Sequence, residues 1–284
     1  MLSDQGFIRH CVACNKHDLG GFVPFFMGDT RFGRIKKDLA SFLLAHTDFF
    51  VSERNGLVLS PRFSDFGTRS DALLQASEAL AAHIHEPLRH EFYPVVQAWN
   101  DAPIAQLDRA AVVWFGVRAW GVHTNGFVRK PEGLFLWIGE RAQNRQIAPG
   151  KLDNLFGGGQ PIRLSREENL CKEAYEEAGI EPALAKTAQY IHTISYMREQ
   201  EYGLRTDSLF VYDLELADGF VPRNTDGEVG AFHLMSLSDV AETVGNTDRF
   251  KFNCALVLTD FLIRHGFFGS NSSLQNAMTS FLTA

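Results

Sequence analysis

The stretch GGGQPIRLSREENLCKEAYEEAGI, residues 157–180, is the most informative part of this 284-residue chain. Ser165 followed by Glu168 is a capping-box pattern, which predicts that a helix starts there. Gly179 predicts where the helix stops, because glycine readily takes the left-handed conformation that ends a helix. The apolar residues at helical spacing that would form its buried face are Leu170, Cys171, Ala174 and Ala178. We therefore predict an amphipathic helix at about residues 165–178.

Three glutamates share one face of this predicted helix, because Glu173, Glu176 and Glu177 stand at positions i, i+3 and i+4. Each like-charged pair costs on the order of 0.2–0.5 kcal/mol on an exposed helix. Carboxylate clusters suit Mg²⁺ or Mn²⁺, which share their coordination shell with water and substrate phosphates. Gly158 and Gly159, just before the helix, would let the backbone approach such a phosphate closely. The residues alone leave two interpretations open, a divalent-metal site and a solvated acidic helix face.

The same residues resemble the Nudix box, whose pattern is G-x5-E-x7-R-E-U-x-E-E-x-G-U with U a bulky apolar residue. Gly158 takes the first glycine of the pattern. The other positions that match in register are Glu173, Glu176, Glu177, Gly179 and Ile180. Two positions depart from it, since Leu164 stands where the first glutamate belongs and Lys172 where the arginine belongs. The resemblance implies a magnesium-dependent (or manganese-dependent) hydrolase.

More of the chain is similar to one branch of that superfamily, the thiamine-pyrophosphokinase-related Nudix proteins with an N-terminal domain of the DUF4743 type. The matching segments are residues 22–25, 91–95, 115–117, 121–126, 149–154, 212–214, 226–229 and 252–255. In this branch a lysine in place of the box arginine is usual, which accounts for Lys172. Despite the branch name a kinase is not implied, because the chain has no Walker-type GxxxxGK[ST] motif.

Around the predicted helix, residue patterns indicate an α/β protein. Residues 134–138 should pair with the preceding strand across a proline–glycine turn. Strands are also predicted at 192–196 and 208–216, with the charged linker MREQEYGLRTD, 197–207, between them. The loop Asn100–Pro103 marks a domain boundary, because β-branched and aromatic residues dominate soon after it.

The resemblance implies a particular domain organisation. A Nudix fold, an α/β/α sandwich with a mixed sheet, is expected at residues 106–268. A small α+β domain at 1–105 would precede it, and we expect that domain to form a wall of the substrate pocket. Residues 269–284 are expected to form a C-terminal tail.

The function implied by the resemblance is hydrolysis of a diphosphate linked to another moiety. Plant and fungal relatives in this branch are associated with thiamine diphosphate and its oxidised or damaged derivatives. In such a reaction water attacks a phosphorus while the metal neutralises developing charge and lowers the pKa of the water. Glu173, Glu176 and Glu177 are the expected metal ligands. Glu228, in a loop outside the box, is the leading candidate for the general base, and its alternative is a turn residue that faces solvent.

Five further side chains are candidates for substrate binding. Arg141, Arg145 and Lys151 lie just upstream of the glycine stretch and could grip phosphates, although a solvated surface is equally consistent with each. His123 and Asn125 form a short polar break between apolar segments, which indicates either a binding role or a satisfied turn.

Leu164 keeps a second function open. A leucine cannot make the ion pair that the box glutamate makes, so a Nudix-fold module that binds a phosphorylated ligand without turnover is the competing hypothesis. Retention of all three helix glutamates favours the enzyme. Release of phosphate or monophosphate from a panel of diphosphates would separate the two.

Composition limits the partners. The net charge of −7 argues against a general nucleic-acid or membrane-surface binder, because both surfaces attract basic patches. We expect a small-molecule diphosphate as the partner, a cytoplasmic location, and leave a homodimer open. Cys11 and Cys14 have the CxxC spacing, but no second pair completes a zinc site, so reduced thiols are expected.

Overall fold

The structure is a computed structural model that describes residues 3–269, 274–275 and 278–279. The first elements are α1 (Asp4–Cys14), β1 (Phe22–Met27), β2 (Thr30–Lys36), α2 (Lys37–His46), β3 (Phe50–Glu53), β4 (Gly56–Leu59), α3 (Phe66–Ile84), β5 (Phe92–Val95), β6 (Ala105–Asp108) and α4 (Ala111–Phe115). Within the described ranges, no helix has the length and apolar character that crossing a membrane requires.

The second part of the chain supplies the elements around the glutamates. They are β7 (Arg118–Lys130), β8 (Gly133–Arg141), β9 (Leu152–Asp153), β10 (Phe156–Gly159), α5 (Arg166–Ala178), α6 (Pro182–Ala185), β11 (Gln189–Gln200), β12 (Gly203–Leu216), β13 (Val229–Ser236), α7 (Leu237–Asn246) and α8 (Cys254–Arg264). The predicted hairpin of β7 and β8 is confirmed, with its turn at residues 131–132.

The N-terminal part is α+β, as expected. Its sheet has the order β2-β1-β4-β3, and a separate hairpin pairs β5 with β6. Helices α2 and α3 bury Leu39, Leu43 and Leu73 in the core beneath the sheet. The loop Asn100–Pro103 connects the two paired strands of the β5–β6 hairpin, and the same core continues to Ala119. A boundary at 105/106 would therefore divide a hairpin, and the N-terminal core extends past it.

The second sheet is mixed and lies between two layers of helices. Its strand order is β11-β12-β7-β8-β13, with β10 beside β7 and β9 beside β8. Strands β7 and β12 are parallel, and the other named pairs are antiparallel. Helix α5 packs on one face, where Leu170 and Ala174 meet Val122. Helices α7 and α8 cover the other face, where Phe261 meets Phe127. The predicted α/β/α sandwich is confirmed.

Helix α1 belongs to the second half of the molecule, although its sequence position suggested the N-terminal domain. Phe7, Cys11 and Cys14 are fully buried in the core built from α7 and α8. A Cβ at Gly6 in α1 would lie 2.2 Å from the carbonyl oxygen of Gly245 in α7. Helices α1 and α7 therefore approach as closely as glycine permits. Both cysteines are free, and burial raises the pKa of each thiol to about 12.

Two further expectations about segments need comment. The predicted linker 197–207 is wrong, because it consists of strand on both sides of a turn at residues 201–202, with Met197 paired to Thr206. The predicted tail, 269–284, falls mostly outside the described residues. Leu274 and Met278 within it are buried in the core around α1 and α8.

Candidate active site

Helix α5 forms as its local sequence predicts. The side chain of Ser165 accepts from the backbone N–H of Glu168, and the Glu168 carboxylate accepts from the N–H of Ser165. Gly179 ends the helix with φ 64°. These caps satisfy the backbone groups at the two ends of the helix and set where it begins and ends. The helical spacing between those ends then places the three glutamates on one face.

Two of the three glutamates reach the glycine strand β10. Glu177 is buried and accepts from the backbone N–H of Gly157 at 2.8 Å. The carboxylate of Glu173 lies against Gly158, where a Cβ would come within 2.2 Å of its carboxyl carbon. The glycines thus lie against two of the glutamates and form a strand paired with β7, and their predicted approach to a phosphate stays a prediction.

Both carboxyl groups are held in an unfavourable electrostatic environment. Burial, together with the charge of Glu173, raises the pKa of Glu177 well above its usual range. Burial also raises the pKa of Glu173, although the ammonium of Lys172 opposes the shift. A raised carboxyl pKa means that the protein lacks compensating positive charge at this position.

Lys172 supplies positive charge at the partly exposed rim of the glutamate cluster, next to Glu176. Its ammonium lies 3.1 Å from Glu173 and 2.7 Å from Glu176, whose side chain is 38% exposed. Burial alone would lower the pKa of Lys172, but the hydrogen bond to Glu176 and the charge of Glu173 raise it overall. Lys172 thus pairs with glutamates of its own helix and does not need a partner at position 164.

The loop at position 164 is held by an amide instead of an ion pair. Gln160, which is fully buried, donates from Nε2 to the carbonyl oxygen of Leu164 at 2.7 Å. Asn169 donates to the carbonyl oxygen of Gly159 at 3.0 Å, which ties α5 to β10. These two amides were not singled out from the sequence, because Asn and Gln at such positions carry no recognisable spacing.

Glu228 lies in a loop that docks on helix α5. Its loop docks on the end of α5 through the N–H of Thr225, which donates to the carbonyl oxygen of Glu176 at 2.9 Å. The charge of Glu228 contributes to the raised pKa of Glu173. Arg145, which is a predicted phosphate-binding residue, forms an ion pair with Glu228 and so lies beside this loop.

The other predicted substrate contacts lie elsewhere. Arg141 is buried and donates to Asp153 at 2.9 Å, and Lys151 donates to the carbonyl oxygen of Asp248 at 2.5 Å. His123 donates to Asn154 at 3.0 Å, and Asn125 donates to Asp213 at 3.0 Å, both from the interior. His123 and Asn125 also lie on the face of β7 opposite the Val122 side chain, which packs against α5. Each of these four side chains thus has a partner within the protein, and a role in substrate binding stays a prediction.

Asp153 is the centre of a buried polar group that sequence reasoning missed. Ligand atoms of His123, Asp153 and Cys254 lie within 4.8 Å of one another, a possible metal donor set. Lys251, 3.2 Å from Asp153, and Arg141 already supply positive charge, and the Cys254 thiol donates to Asp153 at 2.6 Å. Burial raises the pKa of Cys254 well above its usual range, so the thiol keeps its proton. The group is therefore a satisfied internal network.

The N-terminal domain contacts the glycine strand and the loop that follows it. The carbonyl oxygen of Phe92 accepts from the N–H of Ile162 at 2.9 Å. The hydroxyl of Tyr93 would lie 1.5 Å from a Cβ at Gly159. Tyr93 therefore lies beside the glycine that follows Gly158, which is in contact with the carboxylate of Glu173. That the N-terminal domain forms a wall of the substrate pocket stays a prediction, and Tyr93 was matched to the branch only as part of the segment 91–95.

The chain is similar to known proteins over most of its length. Residues 6–119 match the family described as a domain of unknown function, DUF4743. The chain is 38% identical over 280 residues to Nudix hydrolase 20, chloroplastic, of Arabidopsis thaliana, covering 94% of this chain and 75% of the relative. It is also 38% identical over 266 residues to Nudix hydrolase 24, chloroplastic, of the same plant, covering 92% and 73%. Among solved structures, DR0079 from Deinococcus radiodurans aligns with a TM-score of 0.44 at 20% identity, covering 60% of this chain and 98% of that one.

The two plant relatives decide the family, because their similarity extends over more than nine-tenths of this chain. The protein belongs to the Nudix hydrolases, a family of enzymes that act on diphosphate bonds. The resemblance inferred from the glutamate helix and from the N-terminal segments is confirmed.

Proposed function

We propose that this Nudix hydrolase is a divalent-metal-dependent pyrophosphohydrolase that cleaves a diphosphate linked to an organic moiety. The observation that carries the proposal is the pair of carboxyl groups of Glu173 and Glu177, buried against Gly158 and Gly157. Their raised pKa values indicate missing positive charge. Thiamine diphosphate and its oxidised or damaged derivatives are the proposed substrates to test first, on the strength of the sequence resemblance.

The donor set fits Mg²⁺ or Mn²⁺, since it consists of crowded carboxylate oxygens with a half-exposed third member, Glu176. A bound divalent ion would supply Lewis-acid activation of the phosphate and of the attacking water. Glu173 and Glu177 would hold that ion, and Glu176 would complete its shell from the rim. Glu228 is the proposed proton acceptor, with Arg145 positioning its carboxylate.

A second function has one observation in its favour. The ammonium of Lys172 occupies oxygens of both Glu173 and Glu176, as it would in a site that does not need a metal. A Nudix-fold module that binds a phosphorylated ligand without turnover would keep this arrangement. Incubation with a panel of diphosphates and Mg²⁺ separates the two, because only the enzyme releases phosphate or a monophosphate.

Glu177→Gln tests the metal site, because it preserves size but removes one carboxylate. We expect hydrolysis to fall about a hundredfold or more, the scale seen when a main electrostatic stabiliser is removed. We also expect the rise in melting temperature on adding Mg²⁺ or Mn²⁺ to shrink, since a ligand of the folded state stabilises by mass action. Glu242→Gln, at an exposed position on α7, is the matched control. Equal metal-induced shifts and equal rates in Glu177→Gln and the control would disprove the site.

A further inference from the structure

A cleft of about 620 Å³ opens beside the N-terminal end of α5. Its aromatic lining consists of Trp99, Trp120, Tyr190, Phe210 and Tyr212. Trp120 and Phe210 stack at 5.4 Å, and Trp99 from the N-terminal domain lies 5.6 Å from Trp120. A space of this size with aromatic walls suits a small organic molecule.

One cation lies over the aromatic floor of the cleft. The guanidinium of Arg166 is 4.5 Å from the ring centre of Tyr190 and 5.0 Å from that of Phe210. Among the described residues no carboxylate forms an ion pair with Arg166, whereas the neighbouring Lys186 pairs with Glu167 at 2.8 Å. Arg166 is also the first residue of α5, where the helix dipole adds positive potential.

A buried donor in the same cleft lacks an acceptor. The indole Nε1 of Trp120 is inaccessible and makes no hydrogen bond within the described part of the chain. Leaving a buried donor unsatisfied costs on the order of 1–3 kcal/mol, so a small shift of the lining that lets a ligand acceptor reach this N–H would be favourable.

We propose that this cleft binds a planar aromatic small molecule that carries an anionic group, such as an aryl phosphate. The ring would pack among the tryptophans and tyrosines, and the anion would pair with Arg166. Arg166 would disfavour a cationic ring at the same place. The proposal does not depend on the hydrolase reaction.

The cleft and the glutamate cluster are separate sites. Strand β7 lies between β10, which carries the glycines under the glutamates, and β12, which carries Phe210 and Tyr212. Two strand spacings amount to roughly 10 Å. Val122, fully buried, occupies the strand between them, and none of the three metal-ligand candidates lines the cleft.

The test is a titration of the metal-free protein with 1-naphthyl phosphate in EDTA, followed by tryptophan fluorescence and calorimetry. We expect saturable binding, at least about tenfold weaker binding of 1-naphthol and of inorganic phosphate, and about a tenfold loss of affinity in Arg166→Gln. Arg163→Gln, an exposed arginine outside the cleft, should bind like the wild type. Glu177→Gln should also bind normally, which distinguishes this site from the proposed metal centre.

Several outcomes would overturn the proposal. They are absence of saturable binding by the wild type, unchanged affinity in Arg166→Gln, and loss of binding in Glu177→Gln. If circular dichroism shows that Arg166→Gln is unfolded, Trp99→Leu replaces it, with about a tenfold loss expected. Unchanged affinity in a folded Trp99→Leu protein would then count against the site.

Discussion

At Gly157 and Gly158 the absence of a side chain lets two carboxylates reach the backbone of the sheet. Any Cβ at Gly158 would meet the carboxylate of Glu173, and the N–H of Gly157 is the hydrogen-bond donor for Glu177. These contacts keep Glu173 and Glu177 close together in spite of their repulsion. Burial is the main cause of the raised pKa of both carboxyl groups, and the charge of Glu173 adds to the shift of Glu177; a bound cation would oppose these shifts.

Leu164 is one of the two residues where this chain departs from the box, and its replacement tests what that departure does. Leu164→Glu should raise turnover or leave it unchanged, because Gln160 holds the loop through the backbone carbonyl, which the substitution retains. The measurement is the rate of diphosphate hydrolysis at saturating Mg²⁺. A large loss of turnover in a folded variant would show instead that the leucine side chain is needed for packing.

The buried His123 is expected to make the stability of the protein depend on pH. Burial, with the charge of Lys251 second, lowers the pKa of His123 to about 4, whereas the unfolded chain titrates near 6.5. Between these values the unfolded state binds the proton and the folded state does not, so stability is complete above pH 6.5 and falls toward pH 4. The difference corresponds to about 3 kcal/mol at most.

His123→Gln should therefore flatten the decline of the urea midpoint between pH 7 and pH 4.5. The exposed His46, replaced in the same way, is the control and should retain the wild-type slope. Identical slopes in His123→Gln and the wild type would contradict the assignment of this pH dependence to His123.

Strand β10 contacts both the glutamate helix α5 and the N-terminal domain. One of its faces receives Glu173 at Gly158, and Gly159 receives the hydroxyl of Tyr93 from the N-terminal domain. The strand is held to β7 by the pairing of Gly157 with His123 and Gly159 with Gly121. A glycine strand therefore serves both as a sheet member and as a surface that side chains from two directions can approach.

Gly159→Ala tests this approach. The new methyl group would overlap the Tyr93 hydroxyl, and overpacking of this kind costs about 1–3 kcal/mol. We expect a lower midpoint in chemical denaturation together with slower hydrolysis. Gly219→Ala, where a Cβ would meet open space, should have little effect. The cost should be smaller in a Tyr93→Leu background, and an equal cost there would show that Tyr93 is not the obstacle.

At the scale of the whole molecule, the N-terminal segment contacts both halves. Helix α1 packs in the core of the Nudix half, while the strands that follow it build the N-terminal domain. Arg9 reinforces this placement by donating to the carbonyl oxygen of Thr247 at 2.5 Å. Unfolding of the Nudix half should therefore expose α1. This holds even though the chain between α1 and the Nudix half belongs mostly to the N-terminal domain.

Phe7→Ala measures the contribution of α1. Phe7 is fully buried, and truncation of such a side chain costs about 3–5 kcal/mol. Val12→Ala changes an α1 side chain that is 51% exposed and should alter stability by less than about 0.5 kcal/mol. Urea unfolding monitored by tryptophan fluorescence provides the comparison. Similar midpoints for the two variants would mean that α1 is not part of the stable core.

The features that the sequence determined by itself are those set by neighbouring residues. The ends of α5, its glutamate face and the β7–β8 hairpin follow from cap residues, from helical periodicity and from a proline–glycine turn. These interactions act within a few residues of chain, so the local pattern contains them. The resemblance to the Nudix box rests on the same local spacing.

Only the tertiary structure decided which partners the remaining residues find. The burial of His123 and Asn125, the strand conformation of 197–207, and the proximity of Tyr93 to Gly159 depend on groups far away in the chain. The same is true of the Arg166 cleft, whose walls come from the loops after β5 and after α6 and from β7, α5, β11 and β12. Such contacts form because whole faces are buried together, and a buried polar group takes whichever partner the packing brings within reach.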